Sequence, residues 1–296
     1  LGAFIPSFVL ADTWYLDKGD ITVNATGTIQ TVTQGAAPVE DPNPVITSNG
    51  NSTNNTVTIT AGENATANVT LENVNINTGG AAITTSGQGN VNIELNGTNT
   101  VQSGTYHAGV EKKDNGTLTI TDENKNGSLT ATGGQRGAGI GGGYQASSSG
   151  ITISGGEVEA KGGEWAAGIG GGENGNGSRI TIEGGTVTAN GGKCGAGIGG
   201  GSNDNNVENI GKGEDIIIKD GTVTATGGGG AAGIGGGYAG AGSGITVSGG
   251  TVTATGGNGG AGIGSGEDAG SDGATNIKID KIDGGEVTAI GGNNGA

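Results

Sequence analysis

The stretch GGQRGAGIGGGYQASSSGITISGGEVEAKGG, residues 133 to 163, decides the fold, because its parts recur along the chain. The string AGIGGG, in its last copy AGIGSG, begins at Ala138, Ala167, Ala196, Ala232 and Ala261. Successive copies are 29 residues apart, except for one interval of 36 residues that ends at Ala232. Weaker copies precede them, with AGV at Ala108 and AAI at Ala81. A fixed period of this length is typical of a solenoid.

The same string contains GAGIGG, which fits the dinucleotide-binding pattern G-x-G-x-x-G at Gly137 and Gly195. That pattern binds phosphate only where it opens a helix, because the helix N-terminus supplies the N–H groups. The sequence YQASSSG after the first copy has no helical pattern. We therefore interpret the glycines as corners of a repeating fold.

Each repeat predicts three short strands: AGIG from Ala138, Ile151 to Ile153, and Glu157 to Ala160. Apolar side chains alternate with other residues along each strand, so every second side chain points into a common interior. The first interior column is Ile140, Ile169, Ile198, Ile234 and Ile263; the second includes Ile151, Ile180, Ile216, Ile245 and Ile277; the third is Val158, Val187, Val223, Val252 and Val287. The corners are too short for crossover helices, so each strand must pair with its equivalents in neighbouring turns. We predict an all-β, right-handed, single-stranded parallel β-helix, or β-solenoid, with three short strands per turn of roughly 29 residues.

The amino-acid composition excludes some classes of function. The chain has 72 glycines, 3% aromatic residues and a formal net charge of −16. An acidic chain without a basic stripe does not suit a nucleic-acid partner. Cys194 is the only cysteine, so the fold has no internal disulfide.

The two ends differ from the repeats. Residues 1–11, LGAFIPSFVLA, are apolar and end with the small-residue spacing of a secretory cleavage site, so we predict the C-terminal part of a signal peptide; a buried first strand is the alternative. Residues 12–107 predict an N-terminal cap and looser turns, with GAAPVEDPNPV as a surface excursion. Residues 108–296 predict the regular glycine-rich repeats, truncated at the C-terminus within a motif.

ADTWYLDKGDITV, NPVITSNGN, LNGTNTVQSG and the ITISGGEVEAKGG repeats together resemble the glycine-rich β-helix region of secreted bacterial surface proteins. Many of these proteins are described only as containing a carbohydrate-binding domain. The resemblance covers nearly the whole chain and implies export and a β-helix. It also implies association with glycans, but it carries no catalytic residue.

We expect binding residues at positions that differ between the copies of the repeat, because the positions shared by all copies build the fold. Two loop columns flank the AGIGGG strand, and seven of their residues combine flat aromatic faces with polar groups, as sugar rings require. These candidate ligand-binding residues are Arg136, Tyr144, Glu164, Trp165, Glu173, Lys193 and Tyr238. The alternative is that they are ordinary solvated loop residues.

Three other parts of the sequence each fit a further function. Asp122, Asn124 and Asn126 fit the first half of a calcium loop, but Gly133 stands where a bidentate glutamate is required, and a plain turn explains DENKNG as well. His107, the only histidine, is a candidate general base. A ladder of outward threonines on the third strands suits ice binding, but acidic residues interrupt it and threonine is a good exposed strand residue.

We therefore expect a secreted or cell-surface, non-catalytic β-helix module that binds a polysaccharide, or a host or cell-wall glycan, or that acts as an adhesive or structural stalk. We expect no cofactor other than the calcium considered above, no nucleic-acid partner, no membrane span and no obligate oligomer. The alternative is a polysaccharide-degrading β-helix enzyme, a glycosidase or lyase, whose site lies partly outside this chain.

Overall fold

A computed structural model describes residues 11–113, 115–202, 210–270, 273–280 and 285–293. Most of the proposed signal segment therefore lies outside the described residues. Within them the chain coils through three sheets, and each coil, called a rung, adds one strand to each sheet. The six regular rungs, rung 1 to rung 6, begin at Ala108, Ala138, Ala167, Ala196, Ala232 and Ala261.

The strands of each sheet recur at the repeat interval. Sheet 1 contains the parallel strands Ile21–Thr26, Val57–Ala61, Ile83–Gly87, Val110–Lys112, Ile140–Gly141, Ile169–Gly170, Ile198–Gly199, Ile234–Gly235 and Ile263–Gly264. Sheet 2 contains Thr13–Tyr15, Val45–Thr47, Thr66–Glu72, Asn90–Asn96, Leu118–Thr121, Ser148–Ile153, Gly177–Ile182, Gly213–Ile218, Gly242–Ser243, Thr246–Val247 and Lys278–Ile279. Sheet 3 contains Asn75–Asn77, Thr98–Gln102, Ser128–Thr132, Glu157–Lys161, Thr186–Asn190, Thr222–Thr226, Thr251–Thr255 and Glu286–Ile290.

The register of these sheets confirms the predicted fold. In sheet 1, Ile169 pairs in parallel with Ile140 on one side and with Ile198 on the other. The valines of sheet 3 pair in the same way, Val187 with Val158 and with Val223. The chain is thus all-β, with three sheets of stacked parallel strands, the architecture of a right-handed parallel β-helix.

The core is a set of aliphatic columns inside this coil. Strands such as Thr186–Asn190 alternate exposed and buried residues, so every second side chain points inward. Ile140, Ile169 and Ile198 are fully buried. The second column continues in register to Ile279, which pairs with Val247 but is 52% exposed because no described rung covers it.

Two predicted details differ from the structure. The first strand of rungs 2 to 6 is two residues long rather than four, as in Ile169–Gly170, because Gly170 has φ +131° and turns the chain. The second strand is longer than predicted in rungs 2 to 4, for example Ser148–Ile153.

The N-terminal rung is built differently from the regular rungs. Ile21–Thr26 pairs in parallel with Val57–Ala61 and antiparallel with Ile29–Thr33, which in turn pairs with Val39–Glu40. The predicted surface excursion therefore contains one short strand of sheet 1. This hairpin covers the edge of Ile21–Thr26, which is the usual way for a solenoid to protect its first strand.

The 36-residue interval leaves the pairing intact. Ile198 still pairs with Ile234 and Gly177 with Gly213, so the additional residues do not shift the register. Residues 203–209 of this interval lie outside the described part of the chain. None of the helices that the structure describes is long and apolar enough to cross a membrane.

Candidate functional site

The candidate residues lie on one corner of the β-helix. The turn that precedes the AGIGGG string of a rung is called its leading turn, and its last residue lies two positions before the first alanine of the string. The residue directly after the string is called the trailing residue. The N–H of Glu173, the trailing residue of rung 3, donates a 3.0 Å hydrogen bond to the carbonyl of Arg136 in the leading turn of rung 2. In the same way, the N–H of each trailing residue donates to the carbonyl of a residue in the leading turn of the preceding rung: Tyr144 to Tyr106, Ser202 to Trp165, Tyr238 to Cys194 and Glu267 to Gly230. The two loop columns are therefore adjacent, offset by one rung.

This ladder brings three aromatic rings and two cations together in rungs 1 to 4. We call Tyr106, Arg136, Tyr144, Trp165 and Lys193 the aromatic strip. The rings of Tyr106 and Tyr144 are 5.5 Å apart between centroids and tilted by 60°. The Arg136 guanidinium lies 4.9 Å from the Tyr144 ring centre and 5.9 Å from that of Tyr106. The Lys193 ammonium lies 4.8 Å from the Trp165 ring centre.

The rings of the aromatic strip stay accessible. Tyr106 is 55% and Tyr144 39% exposed, and Trp165 is half-buried. Cation–π contacts hold long basic side chains against aromatic faces and restrict their motion. The strip therefore presents flat apolar surface next to hydrogen-bond donors on a rigid frame.

Two predicted acidic residues take different positions beside the strip. Glu173 is buried, with one carboxylate oxygen 3.0 Å from an Arg136 guanidinium nitrogen, a close ion pair without hydrogen-bond alignment. The carboxylate of Glu164 instead accepts a 2.9 Å hydrogen bond from the side-chain amide of Gln135, near the surface. The structure thus gives the two carboxylates separate partners.

Tyr238 is placed two rungs beyond Trp165. Its hydroxyl donates a 3.0 Å hydrogen bond to the carboxylate of Asp268 in rung 6. Its ring covers Gly230, where an added Cβ would lie 2.4 Å from a ring carbon. The hydrogen bond to Asp268, burial and the nearby carboxylates of Asp268 and Glu267 raise the pKa of Tyr238 above its ordinary value. The side chain of Tyr238 thus contacts rungs 5 and 6, whereas its N–H bonds to Cys194 of rung 4.

Rung 1 contains a polar cluster that the sequence analysis did not assemble. The buried carboxylate of Glu111 lies 2.8 Å from Nδ1 of His107 and 2.6 Å from the ammonium of Lys113, and it accepts a 3.0 Å bond from the N–H of Ala108. His107 therefore has one ring nitrogen fixed by a buried acid, which leaves Nε2 for another partner. A histidine oriented in this way can act as a general base.

The sequence contained a sign of this cluster. Rung 1 reads AGVEKK where the later rungs read AGIGGG, so Glu111 stands at the position of Gly141 and Gly170. Those glycines have positive φ, whereas Glu111 does not. Its carboxylate lies under Gly143 of the next rung, where a Cβ would come within 2.9 Å. A departure from the repeat at a structural glycine was the available clue.

The proposed calcium loop stays a prediction. Both carboxylate oxygens of Asp122 accept 3.1 Å bonds from main-chain N–H groups, one from Asn126 and one from Gly127, and Lys125 has φ 55°. The Asp122 carboxylate therefore closes the turn between Asp122 and Gly127 by accepting from its main-chain N–H groups. Among the residues described, no group of three or more His, Cys, Asp or Glu residues is placed to hold a metal.

The repeats match a known family model. A model described as "Beta helix repeat" matches residues 125–144, 151–173, 180–202, 216–238 and 245–267. Each of these segments ends on the trailing residue of a rung, so the match follows the structural repeat. No curated protein and no solved structure matches the chain. The β-helix repeats occur in rungs 1 to 6 and support the fold without identifying a ligand.

Proposed function

We propose that the chain is a non-catalytic module of a secreted or cell-surface protein, and that it binds glycans through the aromatic strip. The observation that carries this proposal is the grouping of Tyr106 and Tyr144 around Arg136, with Trp165 and Lys193 in contact on the same corner, in a chain with only 3% aromatic residues. A polysaccharide, or a host or cell-wall glycan, is the partner, and the module also serves as an adhesive or structural stalk.

The chemistry of the strip suits sugar rings. One face of a pyranose carries C–H groups that pack on aromatic rings, while its hydroxyls need donors and acceptors at the ring edge. The guanidinium of Arg136 and the Glu164 carboxylate offer both kinds of group beside the rings. Because main-chain bonds between rungs fix the turns, binding costs little additional ordering of the protein.

The net charge of the chain favours the same class of partner. A formal charge of −16 disfavours nucleic acids and anionic membrane surfaces. Neutral or weakly charged glycans bind mainly by stacking and hydrogen bonds, so they do not experience this repulsion. The same acidity keeps an extracellular module soluble.

The test is a glycan array followed by calorimetric titration of any hit. The variant Tyr144→Ala/Trp165→Ala should weaken binding by about 1 to 3 kcal/mol for each ring removed. The matched control is Tyr15→Ala, because Tyr15 also has a cation over its ring, Lys18 at 4.7 Å, but lies in the N-terminal rung. Equal affinity for the double variant and the control would reject the strip as the binding site.

The second candidate, a polysaccharide-degrading enzyme, is favoured by one observation, the contact between His107 and Glu111. A fixed imidazole next to exposed tyrosines is a plausible base for cleaving a bound chain. Release of reducing ends or of unsaturated products by the purified protein, abolished in His107→Gln, would support this reading. Binding without product release, unchanged in His107→Gln, supports the non-catalytic module.

A further inference from the structure

Three residues of the aromatic strip are aligned along the β-helix axis. Tyr106, Arg136 and Trp165 occupy the same position of the leading turn in rungs 1, 2 and 3, two residues before the first alanine. Main-chain bonds connect these turns in order, from the N–H of Arg136 to the carbonyl of Thr105, and from that of Trp165 to Gln135. The three residues therefore form a column parallel to the β-helix axis.

This column places one cationic residue between two aromatic residues. Tyr106 is followed by Arg136, then by Trp165, and Lys193 of rung 4 lies against the Trp165 ring. Neighbouring parallel strands are about 4.8 Å apart, so two rings separated by one rung are about 10 Å apart. Arg136 belongs to the rung between them, and its guanidinium lies 5.9 Å from the Tyr106 ring centre and 4.9 Å from that of Tyr144.

The spacing between the Tyr106 and Trp165 rings fits some glycan chains better than others. In an extended β-1,4-linked chain, alternate sugars present the same face, and the length of two sugars nearly equals two rungs. A curved α-1,4-linked chain does not keep its sugars in one line. Resting on the glycan-binding function proposed above, we infer that the aromatic strip binds a linear β-1,4-linked glycan that lies parallel to the β-helix axis. Its first and third sugars stack on Tyr106 and Trp165, and the second sugar lies at Arg136.

The inference predicts a threshold in chain length. A disaccharide reaches one ring and the guanidinium, whereas a trisaccharide reaches both rings. Affinity should therefore rise at least about ten-fold between two and three units, the ratio that corresponds to one additional stacking contact of about 1.4 kcal/mol. Further units should add less.

The experiment titrates the whole chain with cello-, chito- and manno-oligosaccharides of one to six units, and with malto-oligosaccharides as the α-1,4 comparison. We expect the rise at three units in at least one β-1,4 series and weaker binding of every malto-oligosaccharide. Trp165→Ala should remove the rise at three units, while Tyr15→Ala should keep it. Circular dichroism and melting curves establish that each variant is folded.

The outcomes separate the two proposals. Glycan binding that does not depend on length, or malto-oligosaccharides that bind as well as β-1,4 chains, would overturn the axial β-1,4 site and leave the glycan-binding module standing. Unchanged length dependence in a folded Trp165→Ala protein would also overturn it. Absence of binding to any glycan would reject both proposals.

Discussion

Glu173 and Arg136 are joined twice across neighbouring rungs. The Glu173 N–H donates to the Arg136 carbonyl at 3.0 Å, and the Glu173 carboxylate lies 3.0 Å from the Arg136 guanidinium. Because Glu173 is 2% exposed and Arg136 33%, the arginine is the solvent-facing partner of a buried charge. Arg136→Ala should lower the free energy of unfolding by about 1 to 3 kcal/mol.

The test of that pairing is a double-mutant cycle by denaturant unfolding. Arg136→Ala/Glu173→Gln should recover part of the loss, because the second change removes the buried charge that has lost the Arg136 guanidinium. Additive losses in the two single variants and the double variant would show that the side chains do not interact.

The interior columns give a second prediction. Ile169 is fully buried between Ile140 and Ile198, so Ile169→Asp places a charge among aliphatic side chains. It should destabilise the protein by about 3 to 5 kcal/mol. Thr188→Ser, on the outer face of sheet 3, should change stability by less than about 0.5 kcal/mol. Similar melting temperatures for the two variants are incompatible with this register.

The corner glycines give a third prediction. A Cβ on Gly170 would lie 2.1 Å from the carbonyl oxygen of Gly199, and its φ of +131° is unfavourable for an L residue. Gly170→Ala should therefore cost at least about 2 kcal/mol. Gly80→Ala is the matched control, because a Cβ there meets nothing within 4 Å. It should be neutral or slightly stabilising. Equal effects in thermal unfolding would refute the steric argument.

The hydroxyl of Tyr238 gives a fourth prediction, about pH. Donation to the Asp268 carboxylate, burial and the negative charges of Asp268 and Glu267 hold the pKa of Tyr238 above its ordinary value. A raised folded-state pKa means that the contact stabilises the protein fully below the unfolded value, about 10, and that this contribution disappears as the pH rises through the folded value.

Ultraviolet titration can measure this shift, with Tyr238→Phe used to identify the Tyr238 component by difference. Asp268→Asn should bring the Tyr238 pKa down toward its ordinary value, since it removes the negative charge and leaves a weaker, neutral amide acceptor. A Tyr238 titration that does not respond to Asp268→Asn would show that the hydrogen bond is not formed in solution.

The strands and buried columns of this molecule could be predicted from the sequence more completely than the contacts between its polar side chains. The columns through Ile169 and Val187 followed from period-2 alternation and a fixed repeat, because burial of one strand face dictates both. The hairpin at Ile29–Thr33 was not predicted, since a cap occurs once and has no second copy to reveal it. The short strand Ile169–Gly170 was predicted too long, because the glycine conformation that ends it is not visible in the alternation.

Side-chain partnerships were harder to predict. Arg136 and Tyr144 were expected in adjoining loop columns, and the structure brings them within 4.9 Å, whereas Tyr238 lies apart from them. The grouping of His107 with Glu111 depends on a carboxylate that folds beneath the next rung, and no periodic pattern encodes such a contact. Whether the grouped residues bind sugar stays a prediction.

The unbroken pairing of Ile198 with Ile234 across the 36-residue interval has an evolutionary consequence. The extra residues follow Ser202, at the trailing corner, and the strands before and after them keep the spacing of the rest of the coil. Since each rung contacts only its neighbours, a longer connection there spares the strands that stack on either side. Descendants of such a gene can accept further insertions at this point, so the length of the connection can vary while the stacked columns stay the same.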